Sequence, residues 1–205
     1  MLHIVTCLWE PNKHSQEFSR CYDETWVEKL YRGFSRNLTV PYRFVCFTDE
    51  QRTFKENIGQ ELIASDLIDY GCFTEPYKLN QPMILVGLDT LIVRNIDHFA
   101  EYCLSADKIA LPRDPYKKER SINGVALVPQ GQRKIFDDWR GENDMEWLRK
   151  FDWEPIDDKW PGQVLSLKAH RLRDIGMGDA RIVYMHGRPK QNELGHIPWV
   201  KENWQ

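Results

Sequence analysis

The stretch of sequence that decides the fold is Met83-Ile84-Leu85-Val86-Gly87-Leu88-Asp89-Thr90-Leu91-Ile92-Val93. It consists of two apolar runs of strand length with one acidic residue, Asp89, between them. An ionised carboxylate among core residues loses its hydration unless a partner compensates, and a divalent metal ion at a strand end is one such partner. The alternative is that Asp89 opens a hairpin turn or caps a backbone amide, as Asp beside Gly commonly does. Asp89 is therefore the first candidate for a functional residue.

The composition fits one folded domain. The chain has 205 residues, 41% of them hydrophobic, and no Ser/Gly-rich linker divides it, so we expect a single domain. The formal net charge of -3 counts against attraction of the whole surface to nucleic acid or anionic lipid. No run approaches the roughly 20 apolar residues of a membrane span, and no signal peptide is present, which predicts a cytoplasmic protein. The five cysteines form no C-x-x-C pair and are expected to be reduced thiols.

Strand and helix patterns alternate along the chain. His3 to Leu8 predicts a buried strand, Asp23 to Arg36 an amphipathic helix, and Arg43 to Thr48 a second strand. This order implies parallel strands with a right-handed crossover, and thus an α/β fold. Further segments fit the same alternation: strands around Asp89, at 108–111, 122–128 and 181–185, and short helices at 136–139 and 144–151.

A second candidate site follows the last of these strands, in the sequence His186-Gly187-Arg188-Pro189-Lys190. Gly187 lets backbone amides approach an anion, Arg188 can bind oxygens bidentately, and Lys190 supplies a point charge. These properties suit a diphosphate, and His186 could complete a metal shell. The alternative is a solvated basic loop with a surface histidine.

Taken together, the motifs resemble those of a GT-A-type glycosyltransferase, similar to the glycogenin-like enzymes of glycosyltransferase family eight and their small bacterial and phage relatives. The similarity extends over nearly the whole chain. It is carried by the first strand (His3 to Trp9), the following helix and strand (Thr25 to Asp49), Lys78, Gly87-Leu88-Asp89-Thr90 in the place of "DLDT", Ile122-Asn123-Gly124-Val125 in the place of "N-S-G-V", and His186 to Lys190 in the place of "HGrPKP".

The resemblance implies a GT-A fold, with a mainly parallel sheet flanked by helices, a nucleotide-binding half at about 1–97 and an acceptor and sugar half at about 98–205. It further implies a hexosyltransferase-like enzyme with a retaining course. The sugar would pass from a nucleotide diphosphate donor, expected to be a UDP-sugar, to an acceptor hydroxyl that the sequence does not identify.

Residue roles follow from the same resemblance. Asp89 and His186 would bind Mn²⁺ or Mg²⁺. Asp144 would position sugar hydroxyls, and Lys190 would neutralise charge on the leaving diphosphate, so these two are the expected catalytic residues. The full set expected to bind the donor is Thr6, Leu8, Lys78, Leu88, Asp89, Asn123, Gly187, Arg188 and Lys190.

Two positions depart from the family pattern. Gly87 replaces the first acid of D-x-D, which predicts weaker metal binding or a substitute acid. Asp144-Met145 stands where relatives carry "DQ", so one amide of the sugar pocket is missing. Asp157-Asp158 is an alternative acidic pair for the sugar site, or else a solvated turn.

Three functions therefore compete at this stage. The first is a metal-dependent glycosyltransferase. The second is a pseudoenzyme that binds a nucleotide sugar without turnover, with Gly87 marking lost chemistry. The third is a glycosyltransferase that modifies nucleic acid, and its phosphate contacts would be Lys117, Lys118, Arg120, Arg171 and Arg173.

Overall fold

The computed structural model describes residues 1–205 and contains ten strands and seven α-helices. The strands are β1 Leu2–Leu8, β2 Tyr42–Thr48, β3 Gly59–Leu62, β4 Met83–Val86, β5 Thr90–Ile92, β6 Ile109–Leu111, β7 Val125–Val128, β8 Trp153–Pro155, β9 Val164–Ser166 and β10 Ile182–Tyr184. The helices are α1 Glu24–Asn37, α2 Asp97–Ser105, α3 Lys134–Asp137, α4 Asp144–Leu148, α5 Ile156–Lys159, α6 Leu172–Ile175 and α7 Pro198–Asn203. Three 3₁₀ segments lie at Glu17–Ser19, Tyr70–Leu79 and Gln191–Glu193. None of the helices combines the length and apolar character that crossing a membrane requires.

The central sheet has seven strands in the order β3-β2-β1-β4-β7-β6-β8. The first four of these strands are mutually parallel, whereas β7 runs antiparallel to both of its neighbours. β5 and β10 pair antiparallel in a separate three-stranded sheet with β9. The predicted α/β class with a mainly parallel sheet is confirmed. The alternative in which Asp89 opens a hairpin is wrong, because β4 and β5 belong to different sheets.

Hydrophobic side chains cover both faces of the central sheet. In β1, Ile4 faces one hydrophobic cluster, shared with α1 and α2, while Val5 faces a second cluster on the opposite side. Successive side chains of a strand point to opposite faces, so a strand buried on both faces reads as a continuous apolar run. A third cluster packs around the smaller sheet and α7.

Helix α1 forms where the sequence predicts it. Its N-cap is Asp23, whose carboxylate accepts a hydrogen bond from the Thr25 amide at 3.0 Å. Trp26 and Phe34 are buried on its inner face, and the chain returns to extended backbone at Leu38, before Pro41. The helix therefore fixes the crossover that sets β1 and β2 parallel.

Some sequence-based expectations differ from the structure at their boundaries. The strand expected at 122–128 begins only at Val125, because its partner β4 ends at Val86, the residue that pairs with Val125. The helix expected at 144–151 ends at Leu148, and α2 was not predicted. All five cysteines are free, as their spacing predicts. The assignment of residues 1–205 to one domain with two functional halves stays a prediction.

Candidate functional site

A cavity of about 320 Å³ opens at the carboxyl ends of β1 and β4. β1 contributes Leu8 and the following Trp9 to its wall, and the chain leaving β4 contributes Gly87, Leu88 and Asp89. Neighbouring parallel strands end at the same edge of a sheet, which is where ligands bind in open α/β folds. The predicted donor-binding residues Leu8, Leu88 and Asp89 are therefore brought to one cavity.

One side of the cavity is aromatic. Trp9, Phe18, Tyr22, Tyr70 and Phe73 all line it. The Trp9 ring packs edge to face against Tyr70 and Phe73, with ring centroids 5.8 Å and 5.9 Å away. This wall presents planar apolar surface of the kind that accommodates a nucleobase.

The loop that carries Trp9 is anchored by a buried arginine, Arg52, whose side chain is 4% exposed. Its guanidinium donates hydrogen bonds to Glu24 at 2.8 Å, to Asp49 at 2.9 Å and to Glu10 at 3.2 Å. Asp49 also accepts a bond from the Glu10 amide at 2.9 Å. These charge-assisted bonds tie the chain after β1 to the end of β2 and so fix the position of the aromatic wall.

The opposite side of the cavity is polar. Asn123, Asn143 and Asp144 line it, and the Asn123 amide donates a hydrogen bond to the Asp144 carboxylate at 2.5 Å. Burial raises the pKa of Asp144 to about 6, and the hydrogen bond from Asn123 opposes that shift. A buried carboxylate and two amides supply the donors and acceptors that sugar hydroxyls require.

Strand register brings the two sequence motifs together. Tyr184 of β10 is paired with Thr90 of β5, and beyond this pair the Met185 amide donates to the Asp89 carbonyl at 2.9 Å. The loop after β10 consequently starts beside Asp89, about a hundred residues away in sequence. Gly187 adopts a φ of 63°, in the left-handed region that favours glycine, as the loop turns.

This turn delivers Lys190 to Asp89. The Lys190 ammonium lies 2.5 Å from Asp89 Oδ2 and 2.6 Å from the Met185 carbonyl. Lys190 is only 1% exposed, and its Nζ lies 4.7 Å from the centre of the Phe18 ring and 5.8 Å from that of Tyr22. The two predicted residues therefore form an ion pair in which the partly exposed Asp89 lines the cavity and the buried Lys190 lies behind it.

His186 lies outside the cavity wall. Its Nδ1 is 3.0 Å from the Ser166 hydroxyl, and its Nε2 is 3.5 Å from the hydroxyl of the exposed Tyr116. Burial lowers the pKa of His186, so the imidazole is neutral at physiological pH. A neutral imidazole is the form that ligates metals.

The residues around Asp89 do not form a metal shell. No group of three or more His, Cys, Asp or Glu side chains is arranged to hold an ion. Asp89 Oδ2 accepts from Lys190, and Oδ1 fills the space beside Gly87, 2.8 Å from where a Cβ at that position would stand. One carboxylate and one imidazole fall short of the six or more ligand positions that hard cations require unless substrate and water supply the rest. Metal binding by Asp89 and His186 stays a prediction.

Other predicted residues lie away from the cavity wall. Thr6 is fully buried within β1. Lys78 pairs with Glu75 at 3.1 Å, and Arg188 pairs with Glu193 at 2.9 Å. The structure does not bring these side chains into the cavity, so their roles in donor binding stay predictions.

The acidic pair Asp157-Asp158 is engaged by Arg113, which bonds to the two carboxylates at 2.8 Å and 2.6 Å. Neither acid lines the cavity, and both lie in the short helix α5 and not in a turn.

The aromatic wall was missed in the sequence analysis. Its residues come from two separate segments, the loop after β1 and the 3₁₀ segment Tyr70–Leu79. The available signal was the clustering of Phe18 and Tyr22 in an otherwise polar loop, where no core strand or long helix accounts for them. Their meeting with Tyr70 depends on tertiary structure, through a contact of 2.9 Å between the hydroxyls of Ser19 and Tyr70.

Comparison with solved structures places the fold among bacterial glycosyltransferases. The chain superimposes on the glycosyltransferase GlyE of Streptococcus pneumoniae TIGR4 with a TM-score of 0.59 and 12% identity, covering 98% of this chain and 60% of that one. It superimposes on the bifunctional glycosyltransferase WbbM with a TM-score of 0.60 and 7% identity, covering 98% of this chain and 50% of that one. No family model and no curated protein sequence matches the chain. The chain thus spans little more than half the length of these structures and shares their fold.

Proposed function

We propose that this protein is a glycosyltransferase that moves a sugar from a nucleoside diphosphate donor, with uridine as the expected base, to an acceptor hydroxyl. The observation that carries the proposal is the cavity at the ends of β1 and β4, which has an aromatic wall, a polar pocket and the Asp89 carboxylate, with the buried Lys190 ammonium bonded behind that carboxylate. The aromatic wall matches the base of such a donor, the lysine its diphosphate, and the polar pocket its sugar. The shared fold with glycosyltransferases agrees with this assignment.

The donor would lie with its base against Trp9 and Tyr70, its diphosphate beside Lys190, and its sugar against Asn123 and Asp144. In the transfer step the bond between the anomeric carbon and the diphosphate oxygen breaks, and the acceptor oxygen forms the new bond. The departing diphosphate gains negative charge and takes up the proton of the acceptor hydroxyl. Positive charge placed where this negative charge develops lowers the barrier.

Asp144 orients the sugar in this arrangement. Its carboxylate accepts hydrogen bonds from sugar hydroxyls, which fixes the orientation of the anomeric carbon. Because its pKa is raised to about 6, the carboxylate is ionised at neutral pH and protonated in mild acid. Orientation of the sugar by the ionised form therefore predicts that kcat/KM falls as the pH drops through about 6.

Binding of nucleic acid is the less supported alternative. Arg171 pairs with Asp174 at 3.1 Å, and Arg120 lies 3.9 Å from Glu146, so acidic neighbours offset part of the predicted phosphate-binding surface. The negative net charge of the chain also disfavours binding to nucleic acid.

The test of the proposed function is release of the nucleoside diphosphate from a panel of UDP-sugars, with and without candidate acceptors, by the full chain and by Asp144→Ala. We expect turnover of one donor, reduced at least tenfold in the variant. A nucleotide sugar that binds but is never turned over would support the pseudoenzyme instead. Failure of every nucleoside diphosphate to bind would contradict the proposal.

A further inference from the structure

We propose that Lys190, and not a divalent metal ion, supplies the positive charge that holds the donor diphosphate in this protein. This inference rests on the proposed function and specifies how its site operates. It predicts donor binding that is independent of metal, in contrast to the expectation from the sequence motifs.

The first support is the position of Lys190. Its ammonium has three N–H donors, and the structure gives two of them partners, the Asp89 carboxylate and the Met185 carbonyl. Three of its neighbours, Asp89, Phe18 and Tyr22, line the cavity. The third N–H has no partner within the protein. Lys190 is itself only 1% exposed and does not line the cavity, so a phosphate oxygen would reach this N–H between its three cavity-lining neighbours.

The second support is that Lys190 is held in place before any ligand arrives. Its backbone amide donates to the Glu193 carboxylate at 2.8 Å, and the neighbouring Gln191 side chain donates to the Leu88 carbonyl at 3.2 Å. A cation fixed in advance by its surroundings needs no reorganisation when charge develops on the diphosphate.

The third support is the loss of the usual acidic partner at position 87. Gly87 provides no carboxylate, and the space beside it is taken by Asp89 Oδ1. Asp89 is thus the one acid at this point of the cavity, and its other oxygen is bonded to Lys190. A hard cation that needs several oxygen ligands finds one carboxylate here, and one oxygen of that carboxylate is already bonded to Lys190.

The test is calorimetric titration of uridine diphosphate into the full chain, with excess chelator and with Mn²⁺. The variants are Lys190→Met, which removes the charge, and Lys190→Arg, which keeps it. Lys159→Met is the matched control, because Lys159 also pairs with a carboxylate, Glu154 at 2.8 Å, and also lies near an aromatic ring, 5.3 Å from that of Tyr102.

We expect the unchanged chain to bind equally tightly with chelator and with Mn²⁺. Lys190→Met should weaken binding in chelator at least tenfold, or about 1.4 kcal/mol. Lys190→Arg should lose less affinity for uridine diphosphate, and Lys159→Met should bind it as tightly as the unchanged chain does. Thermal melting of each variant checks that it folds. If Lys190→Met does not fold, binding by the unchanged chain and by Lys190→Arg in chelator decides whether uridine diphosphate binds without metal.

Binding that requires Mn²⁺, or Lys190→Met that binds normally in chelator, would overturn this inference while leaving the proposed function standing. Binding under none of these conditions would contradict the proposed function as well.

Discussion

The burial of Asp144 predicts a measurable dependence of stability on pH. Its carboxylate is only 5% exposed, and burial raises its pKa from 3.8 to about 6. In the unfolded chain the same group titrates near its ordinary value of about 3.9. Between these two values the folded protein binds more protons than the unfolded chain, so stability falls as the pH rises.

The size of the effect follows from the pKa shift. A change of one pKa unit is worth about 1.36 kcal/mol, so the shift of Asp144 to about 6 corresponds to about 3 kcal/mol. This penalty is absent below about pH 4 and complete above about pH 7. Asp144→Asn removes the titrating group, so its stability relative to the unchanged chain should increase by about 3 kcal/mol between these two pH values.

The assay is urea unfolding followed by tryptophan fluorescence at several pH values for both proteins. Asp97→Asn is the control: hydrogen bonds from Asn95 and Thr39 lower the pKa of Asp97 to about 2, so its contribution is already complete above about pH 5. The difference in unfolding free energy between Asp97→Asn and the unchanged chain should therefore stay constant above about pH 5. If the unfolding free energy of Asp144→Asn relative to the unchanged chain is equally independent of pH, the Asp144 carboxylate does not carry the burial penalty assigned to it.

Three further predictions test other parts of the site. Asp89→Asn should tighten binding of uridine diphosphate in chelator, because Lys190 loses a competing negative charge. Calorimetry with Mn²⁺ would show weakened binding by the same variant if Asp89 instead holds a metal. Trp9→Ala should weaken binding of uridine diphosphate by about 1 to 3 kcal/mol, the usual value of base stacking, but leave inorganic diphosphate unaffected. Arg52→Met should cost about 2 kcal/mol of unfolding free energy, because acids at the ends of β1 and β2 lose their shared partner. Arg133→Met, which breaks a half-exposed pair with Asp137, should cost less than about 1 kcal/mol in the same urea titration.

The parts of the fold that sequence could predict are those with strong local patterns. β1, α1 and β2 were placed to within two residues at each end, because continuous apolar runs and a one-sided apolar helix leave few alternatives. The separation of β4 from β5 into two sheets was not predictable, because both read as apolar strands and the turn at Gly87 suits a hairpin as well. Pairing of β5 with β10 is a long-range contact that local sequence does not encode.

The same distinction applies to the site. Asp89, Asn123, Asp144 and Lys190 were all singled out from sequence, and the structure brings them to the cavity or to its wall. What sequence could not show is their pairing: Lys190 bonds to Asp89, and Asn123 bonds to Asp144. These contacts depend on strand register and on a loop turn, which local sequence does not encode.

The most direct measurement is a crystal structure of the protein with uridine diphosphate bound in the presence of chelator. We expect the base against Trp9 and a phosphate oxygen within hydrogen-bond distance of Lys190 Nζ, with no cation between the diphosphate and Asp89. A nucleotide bound outside this cavity would contradict the proposed donor site. Ordered binding obtained only with Mn²⁺ coordinated by Asp89 and His186 would contradict the role assigned to Lys190.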